Sequence, residues 1–335
     1  MKEFRYTRAA TVDEAVTAAT TTPEPSVRYL AGGTNLIDLM REGVEQPDRV
    51  VDISRLALAD IDELPDGGLR FGAVARNSRI ARDERVRRRY PMVAQAILNG
   101  ASPQLRNKAT VGGNLLQRTR CGYFYDTTAA CNKRMPGAGC DALHGFNRMH
   151  AILGASDSCI AVHPSDLCVA LAALDAVVQL RGADGVQRAV PLTEFHRLPG
   201  ETPHVETVLA PGELVTAVDL PPAPQGRMTY VKVRDRASFA FALISVAVVL
   251  DTQEGRVRAA RIALGGVAHK PWRAFQAEEN LIGAPAEDQT FRHAAGEALA
   301  SARPYQHNAF KPELARRLIH RTLVELASGE EGQSR

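Results

Sequence analysis

No run in this 335-residue chain reaches the ~18–20 apolar residues that a membrane-spanning helix needs. The longest, residues 239–250 (FAFALISVAVVL), has the length of a buried strand. The opening segment MKEFRYTRAATVDEAV lacks the apolar centre of an export leader. The chain is therefore expected to be soluble and to carry no export signal of its own, which leaves open export as a passenger on a partner. An excess of one charge is also missing. With 41 basic and 38 acidic residues, a net of +3, there is no electrostatic surface for nucleic acid. The short run RVRRR at 85–89 reads as the solvated face of a helix. There is no internal repeat, and no Ser-His-Asp set is readable, so no catalytic residue is assigned.

Cysteine is scarce too. Of five, four (Cys121, Cys131, Cys140 and Cys159) fall in an insert at about 118–159, with 9, 8 and 18 residues between successive members. The segment is rich in Gly, Asn, Arg and Pro and has little periodicity, and long loops in a compact domain are usually functional or disordered. It contains no Cys-x2-4-Cys pair of the kind a zinc site usually shows. Disulfides need an oxidising compartment. Spacing alone leaves a metal site and free thiols both open. Four thiolates do suit the four terminal iron positions of a cubane, and Arg118, Arg120, Lys133 and Arg134 lie beside them in sequence, able to offset the cluster's negative charge. His144, His150 and His163 compete as ligands if the metal is zinc, although a lone His in such a loop reads first as a hydrogen-bonding residue. Tyr123, Phe124 and Tyr125 read as packing over a cofactor edge. Cys168, in the apolar stretch LCVALAAL, reads as a small buried hydrophobe.

The remainder is well patterned. A strand at 4–8, a capping box at Thr11 and Glu14 opening a helix to about 20, a strand at 27–30, a helix at 36–41 and a strand at 50–53 make a small β-α-β-α-β unit. Short strands follow, then helices near 78–88 and 92–97. Past the insert come a strand-like 159–162, a helix at 167–174 and hairpin strands near 176–181 and 187–191. LPPAP at 220–224 reads as a linker. Strands at 229–234, 239–250 and 257–264, with helices near 272–281, 288–300 and 312–327, form a separate C-terminal unit.

Two glycine loops carry the binding chemistry. AGGTN at 31–35 and TVGGN at 110–114 combine glycines, which permit positive φ and close backbone approach, with the N–H-rich start of a helix. Neither is a Walker loop, because no Lys-Ser/Thr follows. Each alone reads as a tight turn; together they suit a ligand with two phosphates, such as FAD.

The ordered set LAGGTNL, ATVGGNLL, HPSDLCVAL, PGELVTAVDLP, RDRASFAFALISVAV and ALGGVAHKPWRA resembles the FAD-binding medium subunit of the molybdenum hydroxylases, the xanthine dehydrogenase and aldehyde oxidase family. The insert QRTRCGYFYDT...CNKRMPGAGC is similar to that of the FAD and [4Fe-4S] subunit of periplasmic aldehyde oxidoreductases. The resemblance implies an α+β chain: a two-subdomain FAD-binding fold of the vanillyl-alcohol oxidase type at 1–222 (subdomains 1–56 and 57–222), then an α+β domain at 223–330. It implies that Leu30, Ala31, Gly32, Gly33, Thr34, Asn35, Leu36, Thr110, Gly112, Gly113 and Asn114 hold the FAD pyrophosphate and ribityl chain. Asp166 and Lys232 would contact the cofactor, with the backbone at Leu214 or Val215 on the adenine side. On the residues alone, Asp166 serves equally as an N-cap, and Lys232 as a solvated strand residue. The resemblance further implies a [4Fe-4S] cluster on Cys121, Cys131, Cys140 and Cys159, and a heterotrimer with a small [2Fe-2S] subunit and a large molybdenum-cofactor subunit. Substrate oxidation would occur on the large subunit, and this chain would pass electrons through FAD. Aldehyde oxidation is the preferred class. A xanthine or N-heterocycle dehydrogenase, a hydroxybenzoyl-CoA reductase and a zinc-binding assembly subunit are the alternatives. Location is expected to be periplasmic through a partner's signal, with cytoplasmic as the alternative. The terminal acceptor stays open among oxygen, NAD, a quinone and a protein.

Overall fold

A parallel sheet needs crossover helices, and the first fifty residues alternate strand and helix accordingly: β1 (Arg5–Arg8), α1 (Val12–Thr20), β2 (Val27–Leu30), α2 (Leu36–Arg41) and β3 (Arg49–Asp52). The computed structural model describes residues 1–21 and 26–329; residue 330, the expected end of the C-terminal unit, lies outside the described residues. The three strands pair in the order β1-β3-β2, all parallel. The capping box forms, with Thr11 accepting from the Glu14 N–H at 3.1 Å, while Glu14 reaches back to the Ala10 N–H at 2.7 Å.

The next unit comprises β4 (Ile61–Glu63), β5 (Leu69–Gly72), α3 (Asn77–Arg82), α4 (Glu84–Arg89), α5 (Pro91–Asn99), α6 (Pro103–Arg106), α7 (Val111–Leu115), α8 (Gly122–Tyr125), α9 (Asp166–Ala173), β6 (Val177–Arg181), β7 (Gln187–Pro191), α10 (Leu192–Phe195) and β8 (Leu214–Leu220). Its antiparallel sheet runs β4-β5-β8-β6-β7. Helix α9 is buried along its whole length, as a helix apolar all round must be. The single helix expected near 78–88 is two, because Asp83 takes an extended conformation and caps α4, accepting from the Arg85 and Val86 N–H groups.

Strands β9 (Arg227–Val233), β10 (Ile244–Gln253), β11 (Arg256–Gly265) and β12 (Trp272–Arg273) form the antiparallel sheet β12-β11-β10-β9, covered by α11 (Phe275–Leu281), α12 (Asp288–Glu297) and α13 (Lys311–Ser328). Strand β10 is buried on both faces, and its alternation shows why. Ile244, Val246, Val248 and Leu250 join the core under α11 to α13, whereas Ala247 and Val249 join the core built on α5 and α9. The C-terminal unit is thus fused to the preceding one through shared packing.

Three expected elements differ. The strand expected from 239 begins at Ile244, opposite Val233 at the end of β9; Leu243 N–H still binds Val233 O at 2.9 Å, but the chain before it turns away, with Phe239 at φ +50°. Residues 159–162 form no strand and are pinned by separate bonds, Ala151 N–H to Ile160 O and His163 N–H to Ala268 O. The helix expected from 272 starts at Phe275, since Trp272 and Arg273 pair with β11. Among the described residues, no helix is long and apolar enough to cross a membrane.

Candidate functional site

The first glycine loop joins β2 to α2, whereas TVGGN is no strand-to-helix loop: it follows α6, with Thr110 as the cap and residues 111–114 inside α7, and the first loop leans on residues 108–109 just before it. A Cβ on Gly32 would lie 2.0 Å from the Lys108 carbonyl oxygen and 3.3 Å from Ala109 Cα, so close packing of the two loops demands this glycine. Gly33 is needed for its backbone, at φ +75°. Thr110 caps α7 by accepting from the Gly113 N–H. Asn35 binds the Arg118 N–H through Oδ1 at 2.8 Å, while its Nδ2 is buried with no partner among the described residues.

Residues 30–36, Thr110, Gly112 and Gly113 line one cavity of about 570 Å³, with Leu214 and Val215 on its wall. That is an ordinary volume for a cofactor site. Asn114 is absent from the lining: its Oδ1 accepts from Gln117 and Ser165. A second chamber of about 440 Å³, lined by Ser165, Asp166, Cys121 and His150, shares Thr119, Val162 and His163 with the first.

Asp166 is not the cap of α9. Ser165 caps it, accepting from the Cys168 N–H at 3.0 Å, and this frees Asp166 to accept from Lys232 Nζ at 2.7 Å and the Tyr230 hydroxyl at 2.5 Å. Lys232, whose side chain is 1% exposed, is therefore no solvated strand residue; it also donates to Asn99 O and lies behind Asp166 rather than in either chamber wall. Removing one member strands the other charge in the interior, so Lys232→Met should cost about 3 kcal/mol, read as a lowered denaturation midpoint, with Tyr230→Phe costing about 1 kcal/mol.

His163 and His196 both turn Nε2 toward the Leu115 carbonyl, at 3.1 and 2.9 Å. His269 is 8% exposed, and neither ring nitrogen has a partner among the described residues. Burial is the main cause that drives all three well below the ordinary imidazole range, His196 to about 4. Depressed folded-state values mean that the unfolded chain binds protons first. Stability should be full above about pH 6.5 and fall as pH drops toward 4, by about 3 kcal/mol for His196 alone. Denaturation midpoints between pH 8 and 5 should show this slope, and His196→Gln should flatten it; an equal slope in the variant would refute the assignment.

The four insert thiols come together without disulfides. Cys131 and Cys140 share a backbone bridge. Cys121 lies near enough to both to feel their charge, and Cys159 lies beside Cys140. Burial raises Cys121 to about 11 against the pull of the Phe124 and Tyr123 N–H groups. The neighbouring Cys159 thiol, with the N–H groups of Ala142, Ile160 and Leu143, draws Cys140 below the ordinary thiol range. Phe124 is buried against Leu39 and Cys131, as its expected packing role requires. The basic residues are mostly committed elsewhere. Arg118 pairs with Glu45 and Glu206, Arg134 binds the carbonyls of Tyr123, Phe124 and Ala129, and Arg120 binds the Tyr125 hydroxyl. Lys133, paired with Glu206 at 2.7 Å, also favours the Cys159 thiolate. His144 is exposed. Cys168 is buried in the α9 core.

Two family descriptions tile this architecture. The FAD binding domain in molybdopterin dehydrogenase matches residues 2–223, and the CO dehydrogenase flavoprotein C-terminal domain matches residues 229–326. The chain belongs to the FAD-binding medium subunits of the molybdenum hydroxylase family. The aldehyde oxidoreductase FAD-binding subunit PaoB of Escherichia coli K12 is 50% identical, over 97% of this chain and 98% of that one. The glyceraldehyde dehydrogenase medium chain of Sulfolobus acidocaldarius is 28% identical over 90% and 89%. The crystal structure of quinoline 2-oxidoreductase from Pseudomonas putida 86 superposes with a TM-score of 0.75 at 25% identity, covering 98% of this chain and 99% of that one. Medium subunits of this family work in multi-subunit oxidoreductases beside small and large partners, and substrate oxidation takes place on a partner.

Proposed function

We propose that this medium subunit is the FAD and [4Fe-4S] electron-transfer component of a molybdenum-containing aldehyde oxidoreductase. It works in a heterotrimer with a small [2Fe-2S] subunit and a large molybdenum-cofactor subunit. The residues fit FAD. The unpartnered buried Asn35 Nδ2 and the left-handed Gly33 both line the first chamber, which is assigned to the pyrophosphate and, beside Val215, the adenine. The second chamber, on the Asp166 side, takes the flavin ring, and Lys232 acts by holding Asp166. Bound FAD supplies the exchange between one-electron and two-electron transfer; the chain binds it, orients it and shields it from water. Residues 1–222 are assigned to this task and 223–330 to the C-terminal unit.

The cluster is supported by one observation: the four insert cysteines are free of disulfides and gather, Cys131 and Cys140 on a shared backbone bridge and Cys121 close enough to feel both, a thiol set of the kind that holds iron-sulfur clusters. A tetrahedral zinc site, with Zn–S of about 2.3 Å, draws its sulfurs much closer. Among the described residues, the ligand-type group that closes to within 4.8 Å is His163, Cys168 and His196, and not the insert cysteines. The His163 and His196 rings are already engaged by Leu115 O. The aldehyde class is supported by the 50% identity to an aldehyde oxidoreductase subunit. Periplasmic location, reached through a partner's signal, rests on the likeness of the insert. Purified complex should contain one FAD and about four irons attributable to this subunit, with the corresponding visible absorption. Zinc, or neither metal, in the insert would overturn the cluster.

A further inference from the structure

His150 is 5% exposed. Its Nε2 lies 3.1 Å from Cys121 Sγ, and its Nδ1 has no partner. Among the described residues, the sulfur is thus the ring's one hydrogen-bonding neighbour. The placement is enforced from another unit of the fold. Lys311, at the start of α13 and 0% exposed, donates to the carbonyls of His150 and Gly266, both at 2.8 Å. Asn308 Nδ2 donates to His150 O and Ala151 O, both at 3.2 Å. An ammonium without a carboxylate is costly to bury, so two buried polar side chains committed to the backbone around one histidine mark a position the fold holds closely. Cys121 and His150 also stand together in the wall of the second chamber, near Asp166.

We propose that His150 is a positioning residue that donates Nε2–H to the Cys121 sulfur and thereby raises the reduction potential of the cluster on the side facing the flavin chamber. The inference rests on the cluster reading above. A thiolate bound to iron has no proton to give, so the bond runs only from the imidazole. An N–H aimed at a ligand sulfur withdraws charge and favours the reduced, more negative cluster. Lys311 and Asn308 act through His150 by fixing its backbone. No proton is transferred and no bond to carbon changes.

The test uses the intact complex, with iron content and an EPR-monitored redox titration of the cluster as readouts. His150→Ala should keep its iron and become about tenfold harder to reduce, a midpoint ~59 mV lower for one electron. His150→Gln, which restores an N–H donor, should recover part of that shift. Iron retained with an unchanged midpoint in His150→Ala would overturn the proposal, as would iron lost in both variants, which would make His150 a ligand. Wild-type complex without iron in this subunit would remove the cluster reading itself.

Discussion

Cys131→Ser should empty the insert of iron and take much of the insert's order with it. Cys131 is 7% exposed and packs with Leu39 and Phe124. Its carbonyl accepts from the Arg134 and Met135 N–H groups, and the neighbouring Asn132 N–H binds Gly139 O at 2.7 Å, so the ligand sits in the tight turn that leads to Cys140. Serine changes one atom there, but a neutral hydroxyl is a poor substitute for a thiolate on iron. In a segment of turns with only the four-residue α8, metal-binding energy is largely folding energy. The expected result is loss of about four irons, loss of visible absorption beyond that of the flavin, and rapid proteolysis within 118–159. Cys168→Ala, in the α9 core, should keep its iron at a cost of about 1 kcal/mol. Equal iron in Cys131→Ser and wild type would remove Cys131 from the ligand set.

Gly32→Ala should damage the FAD site through a single methyl group. Its Cβ would stand 2.0 Å from a backbone oxygen and 2.8 Å from the carbonyl carbon of Lys108; neither can rotate away, so the two glycine loops must part. A cost of about 3 kcal/mol is expected, with FAD retention weakened roughly a hundredfold if the separation falls on the bound state. Gly33→Ala should do less. Its Cβ meets only side chains, Ile37 at 3.1 Å and Leu30 at 3.3 Å, so the cost is mainly that of a left-handed residue, about 1 kcal/mol. Gly137→Ala, left-handed with nothing within 4 Å, controls for backbone strain away from the cavity. Flavin occupancy and midpoints for the three variants should rank in that order, and wild-type retention in Gly32→Ala would remove the loop contact from the site.

Several features were legible because their causes are local. Thr11 and Glu14 sit on one turn, β2 is bounded as its sequence pattern implies, and β8 ends at Leu220, where the expected linker begins. Only the N-cap alternative for Asp166 went astray, on a local ambiguity: Ser165 and Asp166 are both capping residues, and only the backbone decides which one caps α9. The partners of Arg118 and Arg134 were not legible, because adjacency to a cysteine in sequence says nothing about which carboxylate or carbonyl folds over them.

The sequence by itself determined the order of strands and helices, the two glycine loops, the isolation of four thiols in one insert and the family to which they point. All of these are properties of short segments, where periodicity, capping and φ preferences act over a few residues. The tertiary structure decided that Gly32 serves the contact with Lys108, that Lys232 closes on Asp166 across 66 residues, that Asn35 meets Arg118 across 83, and that Lys311 holds His150 across 161. Contacts of that range depend on how three sheets and their helices pack, and buried polar groups find partners only once that packing has excluded water.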